Sequence, residues 1–411
     1  MPVVDTRPPW LVEIEKSFGK GILKPASQIV GVEYRGSGSL ALDVALGGGW
    51  PKRRVIDVIG KESSGKTLLF ELAAIEAQQR EGLRSILFDF EGTFEVERFK
   101  MLGGDPSMLD IITAENVEDE YTDDGKLKSD RRTLPLLYGE YAVDMAKIIL
   151  RASDTHACMC FDSTGAMISI AEFETKMEQG QAKQTMTQTA RLLSDSLRVL
   201  VGSGMLARSA NGITAFFISQ LRDNVGGRGF HGLPPPDKKT GGRALRFYAS
   251  VQVEVSKGDR IKADVDNDFG SKDAGVEIGG ETKIRVRKQK CNRFQGRVAS
   301  FEVYQDGDIR GMDRYGELVK LSALVGEVTK SGSWYKFPKD PGRDNVQGPD
   351  KFEKMLHEDY EYYLALSERT RNALARQMDS YALPAEELVD ENQFVGDDVI
   401  NGEIVAEVNA D

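Results

Sequence analysis

GKESSGKT, residues 60–67, sets a glycine, four further residues and then Gly65-Lys66-Thr67. The segment before it, VIDVIG (55–60), is a short apolar run of strand length, and LLFELAAIEAQQR (68–80) after it has helical spacing and good helix formers. A glycine-rich turn between strand and helix is the setting in which successive backbone N–H groups and a helix N-terminus hold a phosphate group. Gly60, Lys61, Glu62, Ser63, Ser64, Gly65, Lys66 and Thr67 therefore form the first candidate site. The Lys66 ammonium can reach the β- and γ-phosphates of ATP, and the Thr67 hydroxyl can ligate Mg²⁺. Many unrelated proteins carry such a loop, so the rest of the chain has to decide the chemistry.

Two more apolar runs end in polar residues, SILFDFEG (85–92) and HACMCFDST (156–164). They predict further strands of one open α/β sheet, whose chemistry gathers at the carboxyl ends of its strands. Glu91 at the first end is the candidate general base that orients an attacking water. Asp162 at the second can hold the Mg²⁺ through water. Alone, a carboxylate in that place is as readily a solvated turn residue; beside a phosphate loop the metal reading gains. Cys158 and Cys160 alternate along the same strand and read as buried thiols rather than ligands.

Composition narrows the class. A chain of 411 residues has room for two or three folded units. Only three cysteines, Cys158, Cys160 and Cys291, and three scattered histidines suit a reducing cytoplasm and argue against a disulfide framework or a zinc site. No apolar stretch approaches the roughly 20 residues of a membrane helix, and MPVVDTRPPW lacks the pattern of a secretory signal. The expectation is a cytoplasmic protein with no membrane partner. The net charge of −11 looks wrong for a nucleic-acid binder, but its distribution changes that reading. Ten of the 65 acidic residues and none of the 54 basic ones follow Arg376, leaving residues 1–376 with 55 acids and a net charge of −1. The acidity sits in a tail that reads as disordered, and the body is near neutral with local basic patches.

One such patch is RDNVGGRGFHGLPPPDKKTGGRALR (222–246), with six basic residues, two acids, six glycines and three prolines. It directly follows ITAFFISQL (213–221), an apolar strand, and is too long for an ordinary connection. Charge for phosphates and one ring for bases suit single-stranded DNA; a disordered surface loop is the plainer alternative. Arg222, Arg228, Phe230, Lys238, Lys239, Gly241, Gly242 and Arg243 are its candidate contacts. A second loop, FETKMEQGQAKQTMTQTA (173–190), precedes a helix, ARLLSDSLRVLVG (190–202). Leu193, Leu197 and Leu200 face the core there, and Arg191 and Arg198 share the other face. KIRVRKQKCNRFQGR (283–297) holds seven basic residues and no acid, and the alternation of KIRVRK predicts a strand with one charged face.

Taken in order, EKSFGKG (15–21), GSGSLALDVALGGGWP (36–51), GKESSGKT, FDFEGTFEVERFKMLG (88–103), FDST, FFISQLR (216–222), TGGRALRFYAS (240–250) and GELVKL (316–321) resemble the RecA-type recombinases. The resemblance covers about residues 11–376 and extends to bacteriophage members of that family. Other phosphate-loop ATPases lack the EKxFGKG start and the run ending in FYAS.

The resemblance implies a RecA-like core with a mainly parallel sheet flanked by helices, over residues 37–310. It also implies an N-terminal oligomerisation arm (1–36), a small α+β C-terminal domain (311–376) that gathers duplex DNA, and the acidic tail (377–411). Segments 118–137 and 259–280 stand out as polar insertions. By the same resemblance Gln220 senses the γ-phosphate and relays it to the 222–246 loop, while Lys288 and Lys290 reach into the neighbouring subunit's ATP site. Glu95, Arg98 and Tyr304 join the nucleotide site, with Arg98 where the family often stacks a tyrosine on adenine and Lys61 in place of a proline. Lys183, Met186, Arg191 and Arg198 belong to the first DNA loop and its following helix.

The function expected is an ATP-dependent recombinase that forms helical filaments on single-stranded DNA and pairs it with homologous duplex, assisted by single-strand-binding and loader proteins. Two alternatives are a hexameric helicase on the same core and a DNA-binding filament or mediator without strand exchange. The first lacks support from the EKSFGKG and FYAS segments. The second is opposed by the intact set of Glu91, Lys66 and Gln220.

Overall fold

Continuous apolar runs joined by helices dictate strands buried on both faces, and a parallel sheet follows. In a computed structural model of the chain, the described residues are 8–19, 23, 26–28, 31–114, 137–174, 182–222, 238–239, 244–263, 276–305 and 310–380. The 118–137 insertion before Leu137, the tip of the 259–280 hairpin, most of the 222–246 loop and the tail beyond Ser380 lie outside them. The described residues before Tyr34 form one compact unit and those from Tyr34 onward a second. The first unit holds α1 (Pro9–Phe18), opened by a proline and ended at Gly19, whose φ of 103° favours glycine.

The second unit opens with β1 (Tyr34–Arg35), α2 (Leu40–Leu46) and β2 (Trp50–Pro51), then β3 (Val55–Gly60), α3 (Lys66–Glu81), β4 (Arg84–Asp89), α4 (Val96–Met101) and β5 (Leu109–Ile112). It continues through α5 (Gly139–Ala152), β6 (His156–Asp162), α6 (Ile170–Glu174), α7 (Ala182–Leu197), β7 (Thr214–Arg222), β8 (Lys238–Lys239) and α8 (Ala244–Tyr248). Three long antiparallel neighbours and a short one follow: β9 (Val251–Ala263), β10 (Val276–Gln289), β11 (Val298–Tyr304) and β12 (Gly311–Met312). The order across the sheet is β12-β11-β10-β9-β3-β7-β6-β4-β5, with β8 paired to the end of β7. Every pairing from β9 to β5 is parallel. The sheet is therefore mainly parallel, as the sequence predicts.

Alternation along β7 shows how both faces fill. Phe216 enters one core with Ile56 and Val58 of β3 and Leu69, Phe70 and Ile75 of α3. Phe217 enters the other with Phe88, Phe161 and residues of α5 and α7. Phe161 stacks between Phe88 and Phe217, with ring centroids 4.8 and 4.6 Å away. Leu193, Leu197 and Leu200 are buried, as their spacing requires, and so are Cys158 and Cys160. One boundary differs: α7 begins at Ala182, so part of the segment read as a loop (173–190) is helical. Arg35, read with the arm, instead belongs to the second unit. Its buried guanidinium bonds Glu81, at 2.6 Å, and the carbonyl of Ala157.

The remaining elements are α9 (Arg314–Leu324), β13 (Thr329–Ser331), β14 (Trp334–Lys336), β15 (Val346–Gln347), α10 (Pro349–Glu358) and α11 (Tyr360–Ser380). Leu318, Tyr335, Phe337, Phe352, Leu356 and Leu366 form their own core, which also takes in Leu40 of α2. Two polar links fasten it to the sheet layer. Glu317 of α9 accepts hydrogen bonds from the Ser39 hydroxyl at 2.6 Å and from the Leu40 and Ala41 amides. Arg371 of α11 sits 2.6 Å from Asp43, which is 2% exposed, and 3.7 Å from Glu76. Removing one partner of a buried pair strands the other charge. Arg371→Ala is expected to lower unfolding free energy by about 3–5 kcal/mol in urea titrations, with part of the loss recovered by adding Asp43→Asn. A loss below about 1 kcal/mol would place this pair among solvent-screened surface bridges.

Candidate active site

Parallel register brings the candidate residues level with one another. Gly60 at the end of β3 lies opposite Gln220 of β7, and Asp89 of β4 lies opposite Asp162 of β6. Gly60 is required sterically, because an added Cβ would stand 2.5 Å from the Ser64 hydroxyl and the Val255 carbonyl. The turn then runs through Ser63 (φ 54°) and Gly65 (φ 93°) into the first turn of α3. The Ser64 hydroxyl is buried with no hydrogen-bond partner, a polar atom for which a phosphate oxygen would be the complement.

Lys66 is 8% exposed, and its ammonium donates to the Lys61 carbonyl at 2.6 Å. Burial lowers its pKa, against the raising influence of Asp162, Glu91 and Glu62. The Thr67 hydroxyl donates to Asp162 Oδ2 at 2.6 Å. Burial pushes Asp162 up to about 6; the Thr67 bond and Lys66 oppose this, while Glu91 and Asp89 add to it. A hydroxyl and a carboxylate in contact at the end of a phosphate loop fit Mg²⁺. Among the described residues no group of three or more His, Cys, Asp or Glu could hold a metal.

Glu91 stands just past β4 on a turn built by Asp89, whose carboxylate accepts from the amides of Glu91, Gly92 and Phe94 at 2.9–3.1 Å. The Ser163 hydroxyl donates to Glu91 Oε1 at 2.5 Å, and the Gln220 amide donates to the same oxygen at 3.3 Å. The base candidate and the γ-phosphate sensor candidate therefore touch. Asp89 and Ser163 escape a reading of sequence alone, though an aspartate three residues before a turn glycine hints at an Asx turn.

On the base side, Arg98 of α4 forms a 2.7 Å ion pair with Glu71 of α3. Glu95 is the residue just before α4. Tyr304, at the end of β11, donates its hydroxyl to Glu302 at 3.0 Å. A cavity of about 340 Å³ lined by Glu281, Glu302, Glu317 and Lys320 includes none of the phosphate-loop residues. Each of those three acids already has a partner, Lys283, Lys320 and Ser39 respectively.

Strict alternation along β10 would put Lys288 on the same side as the buried Ile284 and Val286. A register shift between Val286 and Lys288 prevents this and turns Gln289 inward instead. Lys288 donates to the Arg246 carbonyl and Lys290 to the Phe247 carbonyl at 2.8 Å, so both ammonium groups cap the end of α8. Burial and the adjacent Lys290 pull Lys288 down to about 8.

Arg191 and Arg198 are exposed on one face of the α7 region, as expected, but Asp195 lies between them, 3.8 Å from Arg191 and 3.0 Å from Arg198. Arg222 ends β7, and Lys238 and Lys239 form β8 against it. Lys183 and Met186 fall in the first turns of α7. Arg228, Phe230, Gly241, Gly242 and Arg243 lie outside the described residues.

The family described as the RecA N-terminal domain matches residues 9–123 and 135–309. The RecA protein of Chloroherpeton thalassium is 33% identical over 349 residues, covering 84% of each chain. That of Porphyromonas gingivalis (strain ATCC 33277) is 33% identical over 367 residues, 88% of this chain and 92% of its own. The RecA protein of Acidothermus cellulolyticus is 32% identical over 366 residues, 85% and 90% of the two chains. Sheet order, site register and these matches agree: the chain belongs to the RecA family of recombinases.

Proposed function

We propose that the chain is a DNA-dependent ATPase that polymerises on single-stranded DNA and carries out homologous pairing and strand exchange. The observation that supports this most is the contact of Gln220 with Glu91, because β7 runs from that contact straight into the 222–246 segment. A γ-phosphate arriving beside Gln220 competes for its amide and so acts on the end of the strand that leads to the DNA loop. Hydrolysis is the in-line attack of water on the γ-phosphorus, with the water proton passing to Glu91 and the bond to the β,γ-bridging oxygen breaking. Ser163 holds the carboxylate for that transfer, and Lys66 leaves the Lys61 carbonyl for the phosphates. Thr67, and Asp162 through water, would hold a Mg²⁺ ion, which would supply positive charge for the phosphoryl transfer. Arg98 provides the face for the base, with Glu95 and Tyr304 nearby in the same reading. Lys288 and Lys290 serve a neighbouring protomer's phosphates once they leave α8.

On this reading, Arg191 and Arg198 exchange Asp195 for DNA phosphates, and the segment that includes Arg228, Phe230, Lys238, Lys239 and Arg243 follows the strand. Electron microscopy with ATP and single-stranded DNA tests the whole reading. Helical filaments are expected; closed rings favour a helicase, and neither form favours a mediator.

Glu91→Gln keeps the phosphate grip and removes the proton acceptor. ATP binding and filament formation should persist while turnover falls by roughly 10²-fold or more. Unchanged turnover in a steady-state ATPase assay would remove Glu91 from the mechanism.

The Lys288→Ala/Lys290→Ala double variant should lose DNA-stimulated ATPase while remaining folded. Mixed with Lys66→Ala protein, it should regain part of the activity at interfaces that pair the intact halves. Absence of recovery at every mixing ratio argues against a shared site.

Asp162 must be ionised to hold the metal, and it titrates near 6 rather than at 3.8. Mg²⁺-dependent affinity for a fluorescent ATP analogue should therefore be full above that pH and weaken as pH falls through it, by up to about tenfold per unit. In EDTA the part of the slope that depends on Asp162 should vanish, leaving only the titration of the nucleotide's own terminal phosphate.

A further inference from the structure

Glu71 is a buried acid that neither the phosphate loop nor the Thr67–Asp162 pair uses. It lies in α3, about 7.5 Å along the helix axis from Lys66, and its side chain is 1% exposed. Phe70 and Leu72 beside it are fully buried, and a leucine in its place would serve the core equally well. Exchanging a buried ion pair for apolar groups is often neutral or stabilising, so stability does not account for this carboxylate. Burial pushes it up to about 7; Arg98 draws it back down, and Asp162 and Glu95 add to the rise. Its carboxylate joins α3 to α4 through Arg98.

Its one described hydrogen bond is from Arg98 Nη2, at 2.7 Å. The pair fixes one edge of the guanidinium and leaves the Arg98 side chain 38% exposed. An unrestrained arginine loses rotamer freedom whenever its plane is used, whereas an anchored one has lost that freedom beforehand. A planar cation held by one edge and exposed on its face can stack on an aromatic base.

We propose that Glu71 is a positioning residue for base recognition, holding the Arg98 guanidinium plane as the platform on which the nucleotide's base stacks. The inference rests on the reading of residues 60–67 and Arg98 as the nucleotide site. Glu71 acts through Arg98 and touches no reacting atom.

The test compares the affinity for ATP with that for inorganic tripolyphosphate, which has no base, using Glu71→Leu, Glu71→Gln, Arg98→Ala and Glu71→Leu/Arg98→Tyr. Thermal unfolding confirms that each variant is folded, and Glu71→Gln substitutes for Glu71→Leu if the latter is not. The expected result is a roughly tenfold weakening of ATP binding in the Glu71 and Arg98 single variants, with tripolyphosphate binding unchanged. The double variant should recover most of the ATP affinity, because a tyrosine ring stacks without an anchor. Loss in Arg98→Ala but not in either Glu71 variant overturns the role of Glu71 and leaves the base site standing. No loss in Arg98→Ala overturns the base site itself, and the inference with it. Equal weakening of ATP and tripolyphosphate overturns the proposal by showing that the pair supports the phosphate loop instead.

Discussion

Hydrogen-bonded register between parallel strands is the constraint on which this active region rests. Because β3 and β7 pair with Gly60 opposite Gln220, and β4 and β6 with Asp89 opposite Asp162, the loops leaving these strands emerge on one level. Side chains far apart in sequence then meet without any long loop having to fold back. A slip of one residue of β7 in its ladder with β3 would exchange the faces of that strand, sending Phe216 and Phe217 into each other's cores. The two apolar layers that flank the sheet thus secure the site geometry as well as the fold.

Much of this was legible before any coordinates. The glycine turn after β3, the strands that lead to Glu91 and Asp162, and the buried Leu193 and Leu197 of α7 all follow from apolar runs and spacing, which report burial directly. Pairings are another matter. Nothing in the sequence says that Asp195 sits between Arg191 and Arg198, or that Glu71 meets Arg98 across two helices. Nor does alternation reveal a shift of register: KIRVRK reads as uninterrupted, and only the partner strand β9 shows where Gln289 replaces Lys288 on the inner face. The start of α7 at Ala182 is hidden in the sequence because KQTMTQTA is polar and threonine-rich, and helix propensity there is weak enough for tertiary packing to decide.

Several charges that the sequence presents as available are thus already engaged. Lys66 holds the Lys61 carbonyl, Lys288 and Lys290 hold α8, and the α7 arginines share an aspartate. Any ligand must match these internal bonds before it gains from the same groups.

The link from Arg371 to Asp43 also decides where the chain can be shortened. Leu366 and Leu374 lie in the apolar core on either side of that arginine, and the guanidinium between them neutralises an acid in the opening helix of the sheet layer. A stop codon placed anywhere before Arg371 would remove the cation that pairs with the buried Asp43. The shortest foldable form of the second unit therefore reaches beyond Leu374, and deletions of the acidic tail have to begin after that point to report on the tail alone.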